Sequence, residues 1–324
     1  MKVQPSDLEI GAASQWTVYL KVPIPMELGC HVKLYYPSDI VFDFQSIQAQ
    51  GFFKPERGDY LNEDNMIWNK NDDPSPSLTF KGCNDYNGVG LEPYGRLLIS
   101  TLTTPGAVKD SGFFKVQVFK DVDLQQMIAY QDQGGYVEQA DLQPGQLSGL
   151  EFIPLNYGVS ERTGHRVTFT TAHPISDNGK IRIVMPESLV LPVPGGEIVR
   201  IEALNDSIRA TFGAVVTSNV IEIENVFGES FDITMGNPHT FDFYIYSSTN
   251  QPSTKDAGGF KITTFTRIDE TVPRFYPVDI GESRDSFIAE AGRLEPFNRA
   301  QGTIEALTVA GTGGSTTYAS DSEW

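Results

Sequence analysis

The amino-acid sequence predicts an all-β chain: two tandem β-sandwich domains followed by the first strand of a third repeat. Three observations carry this. Phenylalanine (20) and tyrosine (13) are plentiful beside Thr/Val/Ile runs. Aromatic and β-branched side chains suit a pleated, half-buried surface. Glycine (30) and proline (20) supply frequent chain reversals. Finally, the chain repeats itself, and its 324 residues give room for about two domains.

The first anchor of the repeat is a strand. Cys30-His31-Val32-Lys33-Leu34-Tyr35-Tyr36-Pro37 matches Gly179-Lys180-Ile181-Arg182-Ile183-Val184-Met185-Pro186. Val32, Leu34 and Tyr36 stand 149 residues before Ile181, Ile183 and Met185, while Lys33 and Arg182 fall on the opposite face. Each copy reads as a strand with one face inward, stopped by a proline that cannot continue the ladder. The second anchor is Lys109-Asp110-Ser111-Gly112-Phe113-Phe114-Lys115-Val116, which returns 146 residues later as Lys255-Asp256-Ala257-Gly258-Gly259-Phe260-Lys261-Ile262. Leu97 and Ile99 match Phe243 and Ile245 at the same offset, with Pro105 and Pro252 in the intervening turns. Agreement in order and spacing predicts a duplication.

The remaining elements follow from this period. Repeat one opens near Ser6–Ile10 and runs into Trp16–Leu20; repeat two opens near Leu150–Ile153 and runs into His165–Phe169. Asp123–Ala129 and Asp285–Ala291 read as short helical turns or covering strands, and Gln139–Gly149 and Arg293–Gly302 as short linkers that favour a semi-rigid rod. The expected boundaries are 1–143, 144–298 and 299–324. The last segment holds Thr303–Val309, a Gly/Thr turn, and Ser315–Tyr318. An opening strand without its sandwich leaves unpaired backbone groups in water, so it calls for a partner. Folding back on repeat two, or donation to another copy, would supply one.

A formal net charge of −18 sets nucleic acid and anionic membranes aside as partners. No apolar run reaches the ~20 residues needed to span a bilayer. The chain's start lacks the basic and apolar signature of an export signal, so a secreted reading takes this as a mature or internal piece. Cys30 and Cys83 allow one disulfide, the expected state; two separate buried thiols is the other reading. Neither has a second cysteine or a histidine at metal-ligand spacing.

Chemistry-bearing motifs are few. The hydrolase elbow, the zinc-protease helix and the P-loop do not occur, and Gly88, Gly90 and Gly95 are too widely spaced for a dinucleotide fingerprint. His31, His165, His173 and His239 are scattered; His165 and His173 flank one strand and read as surface or turn residues. Asn62–Asn65 and Asn69–Asp73 offer oxygen ligands for calcium but lack the EF-hand spacing, so a solvated loop is the simpler reading. Asn205-Asp206-Ser207 is a glycosylation sequon, and Thr312–Ser322 is rich in Ser and Thr. No catalytic, cofactor or metal residue is assigned.

Taken together, Val167-Thr168-Phe169-Thr170-Thr171, Pro174-Ile175, Asn178-Gly179-Lys180-Ile181-Arg182-Ile183-Val184-Met185-Pro186 and Pro252-Ser253-Thr254-Lys255 resemble the Ig-like tandem repeats of large ciliate-type cell-surface and secreted proteins. The resemblance covers about two-thirds of each repeat. Repeat one departs from it with Cys30 in place of Gly179 and with Pro105-Gly106-Ala107-Val108-Lys109 in the turn. It implies two tandem Ig-like domains, an extracellular or cell-surface place and a structural role, with no catalytic residues. The expected function is a subunit or segment of a coat, appendage or filament whose partners are other copies of itself. The alternative is an adhesin or carbohydrate-binding module, with Trp68, Tyr86 and Tyr94 in long loops as aromatic contacts and glycans as partners.

Overall fold

In the computed structural model the described residues are 1–21, 30–42, 49–52, 60–61, 66–69, 72, 75–83, 95–120, 123–176, 178–191, 199–204, 211–224, 226, 239–268, 274–283, 294–296, 306–311 and 314–319. They form two compact units, Met1–Pro144 and Gly145–Trp324. Among the described residues the elements are strands and one 3-10 turn, which makes the all-β expectation of tandem Ig-like sandwiches hold. Among the described residues no helix is long and apolar enough to cross a membrane.

The first unit contains β1 (Lys2–Pro5), β2 (Ala13–Leu20), β3 (Cys30–Tyr35), β4 (Val41–Phe42), β5 (Ala49–Phe52), β6 (Tyr60–Leu61), β7 (Met66–Asn69), β8 (Ser77–Cys83), β9 (Gly95–Thr103), β10 (Lys115–Phe119) and β11 (Met127–Gln131). One sheet runs β1-β2-β9-β5-β6 with β4 beside β9; the other runs β11-β10-β3-β8-β7. Alternation sends Trp16, Val18 and Leu20 of β2 and Leu97 and Ile99 of β9 inward, against Val32, Leu34, Leu78, Phe80, Val116 and Val118 of the second sheet. Trp16 is 0% exposed, packs 5.7 Å from the Phe114 ring, and donates its indole N–H to the Leu102 carbonyl at 3.1 Å. Tyr36 meets Phe114 edge-on at 5.6 Å. Rings in such a setting contribute about 3–5 kcal/mol each when truncation to alanine is the measure.

The second unit contains β12 (Gly145–Gln146), β13 (Ser148–Pro154), β14 (Arg162–Thr170), β15 (Lys180–Val184), β16 (Val199–Ala203), β17 (Thr211–Thr217), β18 (Val220–Glu224), β19 (Thr240–Thr249), β20 (Lys261–Ile268) and β21 (Arg274–Glu282). They follow one path, β12-β21-β20-β15-β18-β17-β16-β19-β14-β13. β17 is the corner: up to Ala214 it pairs with β16, and from Val215 with β18. Phe169, Phe241, Phe243 and Ile245 face inward with Ile181, Ile183, Ile221 and Ile262, all fully buried.

The two units repeat one set of registers. Trp16 stands opposite Ile99 as His165 stands opposite Ile245, and Leu34 lies between Val116 and Leu78 as Ile183 lies between Ile262 and Ile221. Even the bulge recurs: between Ser14 and Trp16 in one unit, between Thr163 and His165 in the other. The Lys-Asp-x-Gly motif has a packing cause. A side chain at Gly112 would press on Pro37 at 2.7 Å, and Gly258 adopts φ +93 beside Pro186, so each loop glycine lies against the proline that stops the strand.

Of the two readings of Asp123–Ala129, the strand is the one seen: from Met127 it is β11, while Asp285–Ala291 lies outside the described residues. Two differences from the sequence expectation stand out. The expected linker 139–149 is a 3-10 turn at Gln139–Asp141 followed by β12 and the start of β13, because its backbone finds hydrogen-bond partners in the sheets. The C-terminal segment is not a lone strand. Here β22 (Leu294–Pro296), β23 (Ala306–Gly311) and β24 (Gly314–Ala319) pair antiparallel, with Gly311 opposite Gly314.

Candidate interaction site

The two units close the same edge differently. In the second unit, the last strand β21 carries β12 on its outer edge as a parallel neighbour, with Gly145 opposite Asp279 and Gln146 opposite Ile280. The Leu147 N–H continues the ladder to the Ile280 carbonyl at 3.0 Å. Asp279 is 0% exposed, which is tolerable for a carboxylate only when it is hydrogen-bonded. Its Oδ2 accepts the backbone N–H groups of Ala172 (2.9 Å) and His173 (3.0 Å), and its Oδ1 lies 2.8 Å from His173 Nδ1. Its own N–H donates to Thr264 Oγ1 at 3.0 Å. This clasp leaves no space beyond Gly145, where a Cβ would collide with Asp279 Oδ1 and His173 Nδ1.

In the first unit the corresponding strand is β11, which ends its sheet. Among the described residues its outer edge has no paired strand. Tyr130 faces Gln117 as Ile280 faces Thr263, so Ala129 occupies the place of Asp279. The carboxylate clasp is therefore missing, and a groove of about 260 Å³ opens with Leu20, Val116, Val118, Ile128 and Ala129 among its walls. Met127 (52% exposed) and Tyr130 (53%) stand out from the same strand.

His165 corrects the sequence reading. Expected at the surface or in a turn, it is 0% exposed and occupies the place of Trp16. Its ring stacks on Phe152 at 4.4 Å and its Nδ1 lies 2.9 Å from Ser248 Oγ. Ser248 is 1% exposed, so this Ser–His pair is closed to substrate and serves packing. Burial pushes the His165 imidazole down to about 3. His173 lies in the bend after β14, as a turn residue, and its ring is half of the Asp279 clasp.

Other expected sites are placed as follows. Cys30 is directly opposite Cys83 in the β3–β8 ladder. Asp72 of the acidic loop is bound to Lys33 and takes a 2.6 Å hydrogen bond from Ser77, while Asn62–Asn65, Asn71 and Asp73 lie outside the described residues. Among the described residues no group of His, Cys, Asp and Glu is arranged to hold a metal ion. Asn205, Tyr86 and Tyr94 lie outside the described residues, as does the side chain of Trp68. One surface escaped the sequence reading. On the outer face of β19, Tyr244 and Tyr246 are 5.9 Å apart, Arg200 lies 5.3 Å over Tyr246, and Arg166 forks onto Asp242 at 2.9 and 2.7 Å. Arg166 holds the Asp242 carboxyl below its usual range. Alternating Tyr244-Ile245-Tyr246 was the available signal.

No family model matches the chain, and no curated protein matches it. Solved structures do. The BSP domain of a biofilm associated protein is 8% identical with a TM-score of 0.25, covering 91% of this chain and 58% of that one. The MSCRAMM ACE of Enterococcus faecalis is 11% identical with a TM-score of 0.23, covering 89% and 95%. The pilus backbone protein RrgB of Streptococcus pneumoniae is 8% identical with a TM-score of 0.22, covering 88% and 52%. The chain thus spans little more than half of two of these.

His165 sets a pH dependence. Below about pH 6.5 the unfolded chain takes up a proton that the folded unit refuses, so stability falls with pH until the folded value near 3 is reached. Between pH 7 and 5 the second unit should lose about 1–2 kcal/mol more than a His165→Phe variant does, measured by urea unfolding. Equal losses in both proteins would contradict this assignment.

Proposed function

We propose that this chain is an extracellular structural protein, a subunit or segment of a surface coat, appendage or filament. It assembles head to tail, with the C-terminal segment of one copy engaging another. The observation that supports this most is the duplicated sandwich, whose second copy covers its last strand with β12 while, among the described residues, no strand lies outside β11 of the first. Exposed sheet edges are templates for another chain, and proteins normally cover them. The described polar groups serve the fold: Asp279 ties down the bend at Ala172 and His173, and His165 fills a core position. A non-enzymatic role fits this use. The charge of −18 fits partners other than nucleic acid or anionic lipid. Deleting residues 301–324 should abolish assembly in sedimentation velocity while leaving the strand signal in circular dichroism. A truncated protein that assembles as before would overturn the proposal.

An oxidising compartment would also suit Cys30 and Cys83, which we propose are bridged. Directly opposed residues of an antiparallel pair lie about 4.5–5.5 Å apart at Cα, inside the range a disulfide spans. Intact mass should rise by two hydrogens on reduction, and Cys30→Ser should cost the first unit about 2–4 kcal/mol. An unchanged mass would speak for two thiols. Asn205 is our proposed glycan site.

A second reading, an adhesin or carbohydrate binder, draws support from the Tyr244–Tyr246–Arg200 face, where two neighbouring rings, tilted at 47°, and a guanidinium offer apolar and hydrogen-bonding contacts to a sugar. Binding on a glycan array that vanishes with Tyr246→Ala would favour it; an empty array would count against it.

A further inference from the structure

In the second unit β12 opens the sandwich path and β21 is its last strand in chain order, and the two run parallel. Tension on the chain enters β12 at Gly145 and leaves β21 at Glu282. It therefore pulls the two strands in opposite directions along one ladder. Strands loaded in this way have to slide past each other, so their hydrogen bonds share the force. An antiparallel hairpin pulled from its open end gives way one bond at a time.

Sliding is opposed at a single residue, Asp279. Its backbone stands opposite Gly145, and the Leu147 N–H donates to the neighbouring Ile280 carbonyl at 3.0 Å. Its buried carboxylate accepts the N–H groups of Ala172 and His173, in the bend after β14, at 2.9 and 3.0 Å. β14 belongs to the other half of the strand path. One residue thus fastens β21 to its parallel neighbour through the backbone and to the opposite half of the sandwich through the side chain. A slip of one residue turns Asp279 to the other face and strips a buried carboxylate of its donors, which nothing apolar replaces. The fit is also close: a Cβ at Gly145 would collide with Asp279 Oδ1, and one at Gly281 would meet Leu147 Cβ at 2.9 Å.

We propose that β12, β21 and Asp279 form a tension lock that lets the second unit hold force along the chain. The first copy carries Ala129 in the place of Asp279, so this carboxylate lock is particular to the second. Its use rests on the reading of the chain as part of a coat, appendage or filament; the lock itself is a property of one chain.

The test stretches single full-length chains in optical tweezers between handles fused to the two ends, where each compact unit gives its own unfolding event. Forced unfolding follows the unfolding rate and not the equilibrium stability, so the two are measured side by side, the second in urea. Asp279→Ala, the residue of the first copy, should speed one of the two events at fixed force about tenfold or more and leave the other unchanged. Leu147→Pro removes a single ladder donor at a half-exposed position and should speed the same event, which covers the case of Asp279→Ala failing to fold. Ile221→Val lowers stability in urea from a fully buried core position outside the lock, and should change that event much less. Events unmoved by Leu147→Pro, or moved as far by Ile221→Val, overturn the lock and leave the structural reading standing. A chain that shows the lock but stays monomeric in sedimentation velocity overturns that reading and leaves the lock.

Discussion

A β-sheet has to end somewhere, and each end exposes a row of N–H and C=O groups that water satisfies only while no other strand competes. This constraint organises the molecule. At β13 and β14 the second unit folds its opening strand onto its own sheet, and β17 turns the corner between the two sheets. At β21 it uses Gly145 and Gln146 as a cover, paired through the backbone beside a buried aspartate whose three hydrogen bonds hold the bend at Ala172 and His173. The first unit shares registers with it in β2, β3, β8, β9 and β10, but among the described residues no strand lies outside β11, and Ala129 stands in the place of the aspartate. That edge is one of the places where the copies differ.

The cores tell the complementary story. They preserve register, bulge and inward face while exchanging side chains: Trp16 for His165, Leu97 for Phe243, Leu34 for Ile183. Such exchanges are tolerated because volume is redistributed among neighbours; Phe152 stacks on the smaller imidazole, whereas Phe114 packs against Trp16. The imidazole has to stay neutral to remain there, which ties the second unit's stability to pH in a way the first unit's tryptophan does not.

Much of this was legible in the residues. Period-two alternation marked β3 and β15, and the Lys-Asp-x-Gly motif marked the loops, because Gly112 has no room for a side chain against Pro37 and Gly258 needs a positive φ. His165 was misread because hydropathy alone places a histidine outside, and only the bulge and the Phe152 and Ser248 contacts bring it in. Asp279 was invisible for a related reason: one acid in an acidic chain carries no sign of burial until the loop at Ala172 and His173 is folded over it. The hairpin β23–β24 was half visible, its turn recognised but its pairing missed, since a strand's partner is set by what lies beside it in space.

The central claim is that the chain is a repeating structural element that joins to others of its kind through a sheet edge. Electron microscopy of the native material tests it most directly. The account predicts continuous rows in which the tandem units recur at a constant axial spacing. Separate particles of one chain each, at every concentration, would contradict it.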